Sequence, residues 1–189
     1  MDECPLCAAR APMVFVRRWA DYSLYDCPKC SAGFCDPFKN PGPEYYEHKS
    51  DLYAVSVSEK TDPMTFEYDE ALALLRREVP SGGRLLDVGC DGGTLTEKVA
   101  ERAQPERVVG VDISVKSLAY NLTKRPQFDV AVGDAEELPF RDGMFEAIFC
   151  SEVMEHIEQP EKLLAEVRRC LAPNGYAVVM VPAETPLFK

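Results

Sequence analysis

The chain has 189 residues, 46% of them hydrophobic and 28% charged, with a net charge of −11. This length suits one full domain, or a small domain with a medium one, and the apolar fraction excludes collagen-like and disordered chains. No run of about 18 apolar residues occurs, so no transmembrane helix is expected. Met1-Asp2-Glu3-Cys4-Pro5 lacks the apolar stretch of a secretion signal, which predicts a cytoplasmic protein. Residues 51–189 carry 25 acids against 15 bases, while residues 1–50 carry seven against six. So acidic a surface repels phosphate backbones and gives nucleic acid no support as a partner.

Five of the eight cysteines, Cys4, Cys7, Cys27, Cys30 and Cys35, fall in the first 35 residues. Cys4-Pro5-Leu6-Cys7 and Cys27-Pro28-Lys29-Cys30 are two CxxC pairs separated by 19 residues, the spacing of a zinc ribbon. Tetrahedral zinc takes four soft thiolates, and a two-residue gap lets one tight turn present two sulfurs to one metal. Disulfides are the competing reading, disfavoured where thiols stay reduced. A redox CxxC is disfavoured by the doubled motif. A structural Cys4 zinc module over residues 1–36 is expected, with 13–16 and 22–25 forming a hairpin and Cys35 a spare thiol that packs.

Residues 37–65 read as a Pro/Tyr-rich connector, because three prolines between Pro37 and Pro43 oppose a helix or a central strand. Beyond Pro63 the pattern becomes regular. Leu72, Leu75 and Val79 sit at helical spacing in a helix over 66–79. A strand is expected over 84–88, then a helix over 94–103. A strand over 107–111 leads to a helix capped by Ser114 and running to about Lys124. Strands over 128–132 and 147–150, a helix over 160–171 and a strand over 176–181 complete the series. Strands alternating with helices predict an α/β domain: a Rossmann-like, doubly wound parallel sheet of about five strands.

The first strand of that series opens into a glycine loop, Asp87-Val88-Gly89-Cys90-Asp91-Gly92-Gly93. Glycines there let a ligand approach the backbone, and the following helix offers free N–H groups. A dinucleotide fingerprint would need glycine where Asp91 and Thr94 stand, so nicotinamide cofactors are disfavoured. Three acids fall at strand ends: Asp87, then Asp112 and Asp134. Ligands bind at the carboxyl ends of parallel strands, so all three converge on one crevice. Asp112 can accept both hydroxyls of a ribose, and Asp134 can meet an adenine amino group.

The stretches 85–93, 109–114, 133–140, 145–157 and 171–182 resemble, in order and spacing, a class I S-adenosylmethionine-dependent methyltransferase. The N-terminal part resembles the zinc-ribbon extension of a branch acting on sugars and other small metabolites. The resemblance implies a methyltransferase core over 66–189 that binds S-adenosylmethionine and methylates a small-molecule acceptor, such as a sugar. It implies that Gly89 and Gly93 pack on the methionine portion and that Asp87 orients its amino group. Asp112 would hold the ribose and Ile113 would pack on adenine, with Asp134 and Ala135 at its edge. Cys150 and Ser151 would line the pocket after the fourth strand. Two departures stand out. Asp91 replaces a usual glycine and would repel the cofactor carboxylate unless it turns away or meets the amino group. After the fifth strand the family adds a helix and two antiparallel strands, whereas 183–189 are too few, so a truncated chain is expected. A cofactor-binding fragment without turnover, and an RNA methyltransferase that holds RNA through its ribbon, are the alternative readings.

Methyl transfer is a displacement in which positioning and desolvation do much of the work, and a general base is needed only if the acceptor must lose a proton. His156, in Glu152-Val153-Met154-Glu155-His156, lies just past the fourth strand and is the candidate base. Tyr45, Tyr46 and Tyr53 could cover the cofactor or simply pack.

Overall fold

A computed structural model describes residues 2–5, 7–19, 22–36, 44–46, 69, 72–74, 77, 82–124 and 127–182. The chain divides into two compact units, Met1–Asn40 and Pro41–Lys189. The expected connector lies outside the described residues except for 44–46, which are helical immediately after the proline run. Of the helix expected over 66–79, the described positions 69, 72–74 and 77 are helical.

The first unit is a three-stranded antiparallel sheet of β1 (Val14–Trp19), β2 (Tyr22–Asp26) and β3 (Gly33–Asp36). The expected hairpin is present. The third strand is an addition, too short and too glycine-marked to stand out by alternation. Phe15, Tyr25 and Phe34 occupy one register across the sheet, and their rings meet at 5.8 Å and 6.1 Å. The core is Cys4, Met13, Cys27 and Phe34.

The second unit carries β4 (Arg84–Val88), α1 (Thr94–Ala103), β5 (Arg107–Asp112), α2 (Val115–Lys124), β6 (Asp129–Val132), β7 (Phe145–Ser151), a 3-10 turn (Met154–His156), α3 (Pro160–Cys170) and β8 (Leu171–Met180). The five strands form one parallel sheet ordered β6-β5-β4-β7-β8. The order reverses between β4 and β7, and such a reversal opens the crevice where ligands of doubly wound folds bind. Apolar side chains leave both faces. Leu86, Val88, Val109, Val111, Ile148 and Cys150 meet Leu163 and Val167 of α3. Leu85, Val108, Ala147 and Phe149 meet Leu95 and Val99 of α1.

β8 starts earlier than its sequence suggests. Opposite the step from Phe145 to Ala147 it runs from Leu171 to Tyr176, so Ala172-Pro173-Asn174-Gly175 is absorbed as an irregularity. Proline is tolerated there because β8 is an edge of the sheet. Behind this edge, the Arg169 guanidinium donates to the carbonyls of Leu138 and Phe140 and to Glu166, fixing the connection after β6 to α3. No helix among the described residues is long and apolar enough to cross a membrane.

Phe145 is fully buried and meets Phe140 edge-to-face at 5.1 Å. Phe145→Ala should therefore destabilise the second unit by about 3–5 kcal/mol, through lost transfer energy and a cavity, in urea unfolding followed by circular dichroism.

Candidate active site

Parallel strands bring their carboxyl ends to one edge, and the sheet order sets β4 between β5 and β7 there. Asp87 belongs to β4, Asp112 closes β5, and Cys150 with Ser151 close β7. Asp134 and Ala135 follow β6.

Asp87 is buried, and its Oδ2 accepts the Thr96 hydroxyl of α1 at 2.6 Å. Burial pushes its carboxyl up to about 7, against the Thr96 hydrogen bond, and the Asp112 charge adds to the rise. Asp112 accepts two backbone N–H groups, from Asp91 at 2.9 Å and from Ser114 at 2.8 Å. Burial raises its carboxyl too, with these N–H groups opposing. Each Asp112 oxygen still has a lone pair available for a hydroxyl donor. Asp134 is exposed, and its Oδ1 accepts the Glu136 N–H in a tight turn. Ile113 and Ala135 are half-buried.

The glycine loop is shaped by contacts on both sides. Gly89 has φ +71, and a Cβ there would lie 2.2 Å from a Val153 methyl. Gly93 has φ +76, and a Cβ there would strike Asn121 Oδ1 at 2.6 Å and Phe128 Cζ at 2.7 Å. Packing of the loop against α2 thus by itself requires glycine at 93. Asp91 also lies in the left-handed region, with φ 38. Glycine is the usual occupant of that region, and aspartate tolerates it better than most residues. The Asp91 carboxylate turns to α2, where its Oδ1 accepts the Ser117 hydroxyl at 2.7 Å. Its carbonyl accepts Asn121 Nδ2 at 2.6 Å.

Beyond β7, burial pushes the Cys150 thiol up to about 12, which leaves it an unreactive wall. The Ser151 hydroxyl is buried with no hydrogen-bond partner among the described residues. His156 is exposed in the 3-10 turn, with Nε2 3.8 Å from Glu155 Oε1 and its ring 5.8 Å from the Tyr46 ring. Tyr45 packs edge-to-face on Tyr46. Tyr53 lies outside the described residues.

Thr96, Ser114, Ser117 and Asn121, all buried, support the site and were not singled out as site residues from the sequence, Ser114 having been read only as a helix cap. Their one sequence signal is small polar side chains on the inward faces of α1 and α2.

These residues fit S-adenosylmethionine. Carboxyl groups at the β4 and β5 ends offer acceptors for an ammonium group and for a pair of ribose hydroxyls, and a neighbouring ammonium would favour the charged form of Asp87. The orphaned Ser151 hydroxyl has a place for a polar ligand atom. α1 begins at Gly93 without a side-chain cap, which leaves first-turn N–H groups for an anion.

In the first unit, the sulfurs of Cys4, Cys7, Cys27 and Cys30 all lie within 4.8 Å of one another. Cys4 and Cys30 approach to 3.9 Å, and Cys7 and Cys27 to 3.8 Å. Four sulfurs at the Zn–S distance form a tetrahedron with edges of about 3.8 Å. Backbone N–H groups of Cys30 and Lys29 push the Cys27 thiol down, while against the Ala9 N–H the hydrogen bonds from the neighbouring thiols push Cys7 up, as expected where crowded sulfurs share protons. The Cys35 backbone lies in β3.

The family described as "Methyltransferase domain" matches residues 86–179. The chain is 38% identical over 98 residues to a demethylmenaquinone methyltransferase of Renibacterium salmoninarum, covering 52% of this chain and 40% of that protein. It is 30% identical over 130 residues to a ubiquinone biosynthesis O-methyltransferase of Xanthomonas axonopodis pv. citri, covering 66% and 52%. The chain thus spans about half, or less, of the length of these curated relatives. Among solved structures, the phosphoethanolamine N-methyltransferase 2 of Haemonchus contortus in complex with S-adenosyl-L-methionine aligns with a TM-score of 0.52 and 31% identity, covering 59% of this chain and 27% of that one. An S-adenosylmethionine-dependent methyltransferase of Mesorhizobium loti aligns with a TM-score of 0.51 and 26% identity, covering 57% and 51%.

The raised carboxyl of Asp87 has a consequence for stability. An acid whose folded pKa exceeds its unfolded value of about 3.9 keeps its proton when the unfolded chain loses it, so stability falls as pH rises through that interval. For Asp87 the fall runs from about pH 4 to pH 7 and is complete above it. Asp87→Asn retains a carbonyl acceptor for Thr96 and removes the charge. The melting temperature of the variant should decline less between pH 4 and 7 than that of the wild type, in calorimetric scans.

The family match over residues 86–179 and the parallel sheet that those residues build place this part of the chain among the class I S-adenosylmethionine-dependent methyltransferases.

Proposed function

We propose that the chain binds S-adenosylmethionine and transfers its methyl group to a small-molecule acceptor. The observation that carries this reading is the pair of carboxylates, Asp87 and Asp112, at adjacent strand ends on either side of the glycine loop. Bound S-adenosylmethionine supplies a methyl group on a sulfonium leaving group. Asp112 takes the ribose hydroxyls on its free lone pairs, and Asp87 orients the methionine amino group. Gly89 and Gly93 give the methionine portion room along the loop. Ile113 packs on the adenine, with Asp134 and Ala135 at its edge, while Cys150 and Ser151 line the pocket beyond β7. His156 is the proposed base, taking the proton of an acceptor hydroxyl, with Glu155 beside it to hold the resulting charge.

An oxygen acceptor, a hydroxyl or a carboxylate, is favoured because the curated relatives include O-methyltransferases, one of them named for malonyl-[acyl-carrier protein] in Geobacter sulfurreducens; only a hydroxyl would call on His156 as base. The sugar acceptor implied by the ribbon resemblance belongs in the test with phenolic quinols. Calorimetry with S-adenosylhomocysteine, paired with methyl-donor consumption over a panel of sugars and quinols, tests the reading. Binding with turnover supports it, and failure to bind the product overturns it.

Asp112 separates binding from folding only in part. Asp112→Ala should weaken S-adenosylhomocysteine ten- to a hundredfold, about 1.4–2.7 kcal/mol. The two N–H groups of Asp91 and Ser114 lose their acceptor as well, so the ligand-free melting temperature should fall too. An unchanged affinity in the variant would remove the ribose assignment.

We also propose one structural zinc per chain, held by Cys4, Cys7, Cys27 and Cys30. Elemental analysis of the purified protein should find it. Cys4→Ser should lose the metal and unfold the first unit, while the second retains its cooperative transition. A protein free of zinc at full occupancy of folded chain would exclude the site.

A further inference from the structure

Asp91 stands where the glycine loop would ordinarily carry a residue without a side chain, and its backbone holds the left-handed conformation that glycine adopts freely. Its side chain must therefore supply something. Oδ1 accepts the hydroxyl of the buried Ser117 at 2.7 Å. The Asp91 carbonyl accepts Nδ2 of the fully buried Asn121 at 2.6 Å. The Asp91 N–H donates to Asp112 Oδ2 at 2.9 Å. One residue thus joins the loop, the first two turns of α2 and the β5 acid.

The charge also has a place. Ser117 is the third residue of α2, whose own first turn contains no acid. A carboxylate brought there from the loop meets the positive end of the helix dipole. The same helix is fixed from the β5 side, since Ser114 Oγ accepts the Ser117 N–H at 3.3 Å and the Ser114 N–H donates to Asp112 Oδ1 at 2.8 Å. One oxygen of Asp112 is thus held locally by the start of α2, and the other by the loop N–H of Asp91, which the contact between the loop and α2 holds in place.

We propose that Asp91 is a positioning residue for the ribose acid. By tying the glycine loop to α2 through Ser117, it fixes the backbone N–H that aims the Asp112 carboxylate at the cofactor's hydroxyls. Asp91 acts through Asp112 and does not itself touch the cofactor. The assignment rests on the S-adenosylmethionine reading above.

The test titrates the full chain calorimetrically with S-adenosylhomocysteine and with its analogue lacking both ribose hydroxyls. Wild type, Asp91→Gly, Asp91→Asn, Ser117→Ala and Asp112→Ala are compared, each well below its melting temperature. Asp91→Gly keeps the backbone conformation and should weaken S-adenosylhomocysteine about five- to twentyfold, while changing affinity for the analogue less than about twofold. Asp91→Asn retains an acceptor for Ser117 and should stay within about threefold of wild type. Ser117→Ala should weaken binding in the same ribose-dependent way, and adding it to Asp91→Gly should cost little more. Equal losses on both ligands, or a lowered melting temperature with unchanged affinity, would overturn the positioning role. If Asp112→Ala loses affinity and Asp91→Gly does not, the positioning role fails and the cofactor reading stands. If the wild type binds neither ligand, the cofactor reading fails and takes this role with it.

Discussion

Two carboxylates at the ends of neighbouring parallel strands dictate much of the second unit. A buried acid without partners is too costly to keep, so each must be met by donors brought from elsewhere in the chain. Asp87 is met by the Thr96 hydroxyl, which requires α1 to start directly after the glycine loop and turn its first-turn face inward. Asp112 is met by the N–H groups of Asp91 and Ser114, which requires the loop to fold over the end of β5 and α2 to start three residues beyond it, at Val115. Loop, helix starts and strand ends form one hydrogen-bonded unit, and the crevice is the space that this unit leaves open.

Much of this was legible in the sequence, for a reason. Asp87, Asp112 and Asp134 each follow a short apolar run, and a parallel sheet gathers such positions at one edge whatever the details of packing. Ser117 and Asn121 were not legible as site residues. A small polar residue inside a helix shows its meaning only when the group facing it is known, and Asp91 lies 26 residues before Ser117. The repulsion expected between Asp91 and the cofactor carboxylate is met in the same hidden way, because the Asp91 carboxylate turns to a hydroxyl of α2 that periodicity cannot reveal. At β8, Pro173 and Gly175 read as a break, and only the pairing with β7 shows a strand that continues through it.

The first unit follows a different logic. Among the described residues its core consists of Cys4, Met13, Cys27 and Phe34, with Ala11 and Tyr25 packed against it. Domains of this size bury too little apolar surface to offset the conformational entropy of ordering them and ordinarily depend on a metal or a disulfide. Two of the four core residues are themselves candidate ligands. The aromatic register of Phe15, Tyr25 and Phe34 holds the sheet laterally, while the four sulfurs close it at one end. Cysteine spacing made this unit legible, and β3 escaped because a four-residue strand starting at Gly33 has too little alternation to register.

The acids of the crevice also carry a tension. The Asp112 charge raises the Asp87 carboxyl beyond what burial does alone, and the Asp91 charge adds to the rise that burial gives Asp112. The fold therefore holds neighbouring carboxylates in a unit already rich in acids, an arrangement that costs it stability. Hydrogen bonds from Thr96, Ser114, Ser117 and the loop N–H group hold them in place but do not neutralise them. A cationic ligand would, and the proposed S-adenosylmethionine carries both an ammonium and a sulfonium. Binding of such a cation to the folded chain alone would draw the folding equilibrium with it, so the acids that cost the fold stability would contribute to binding instead.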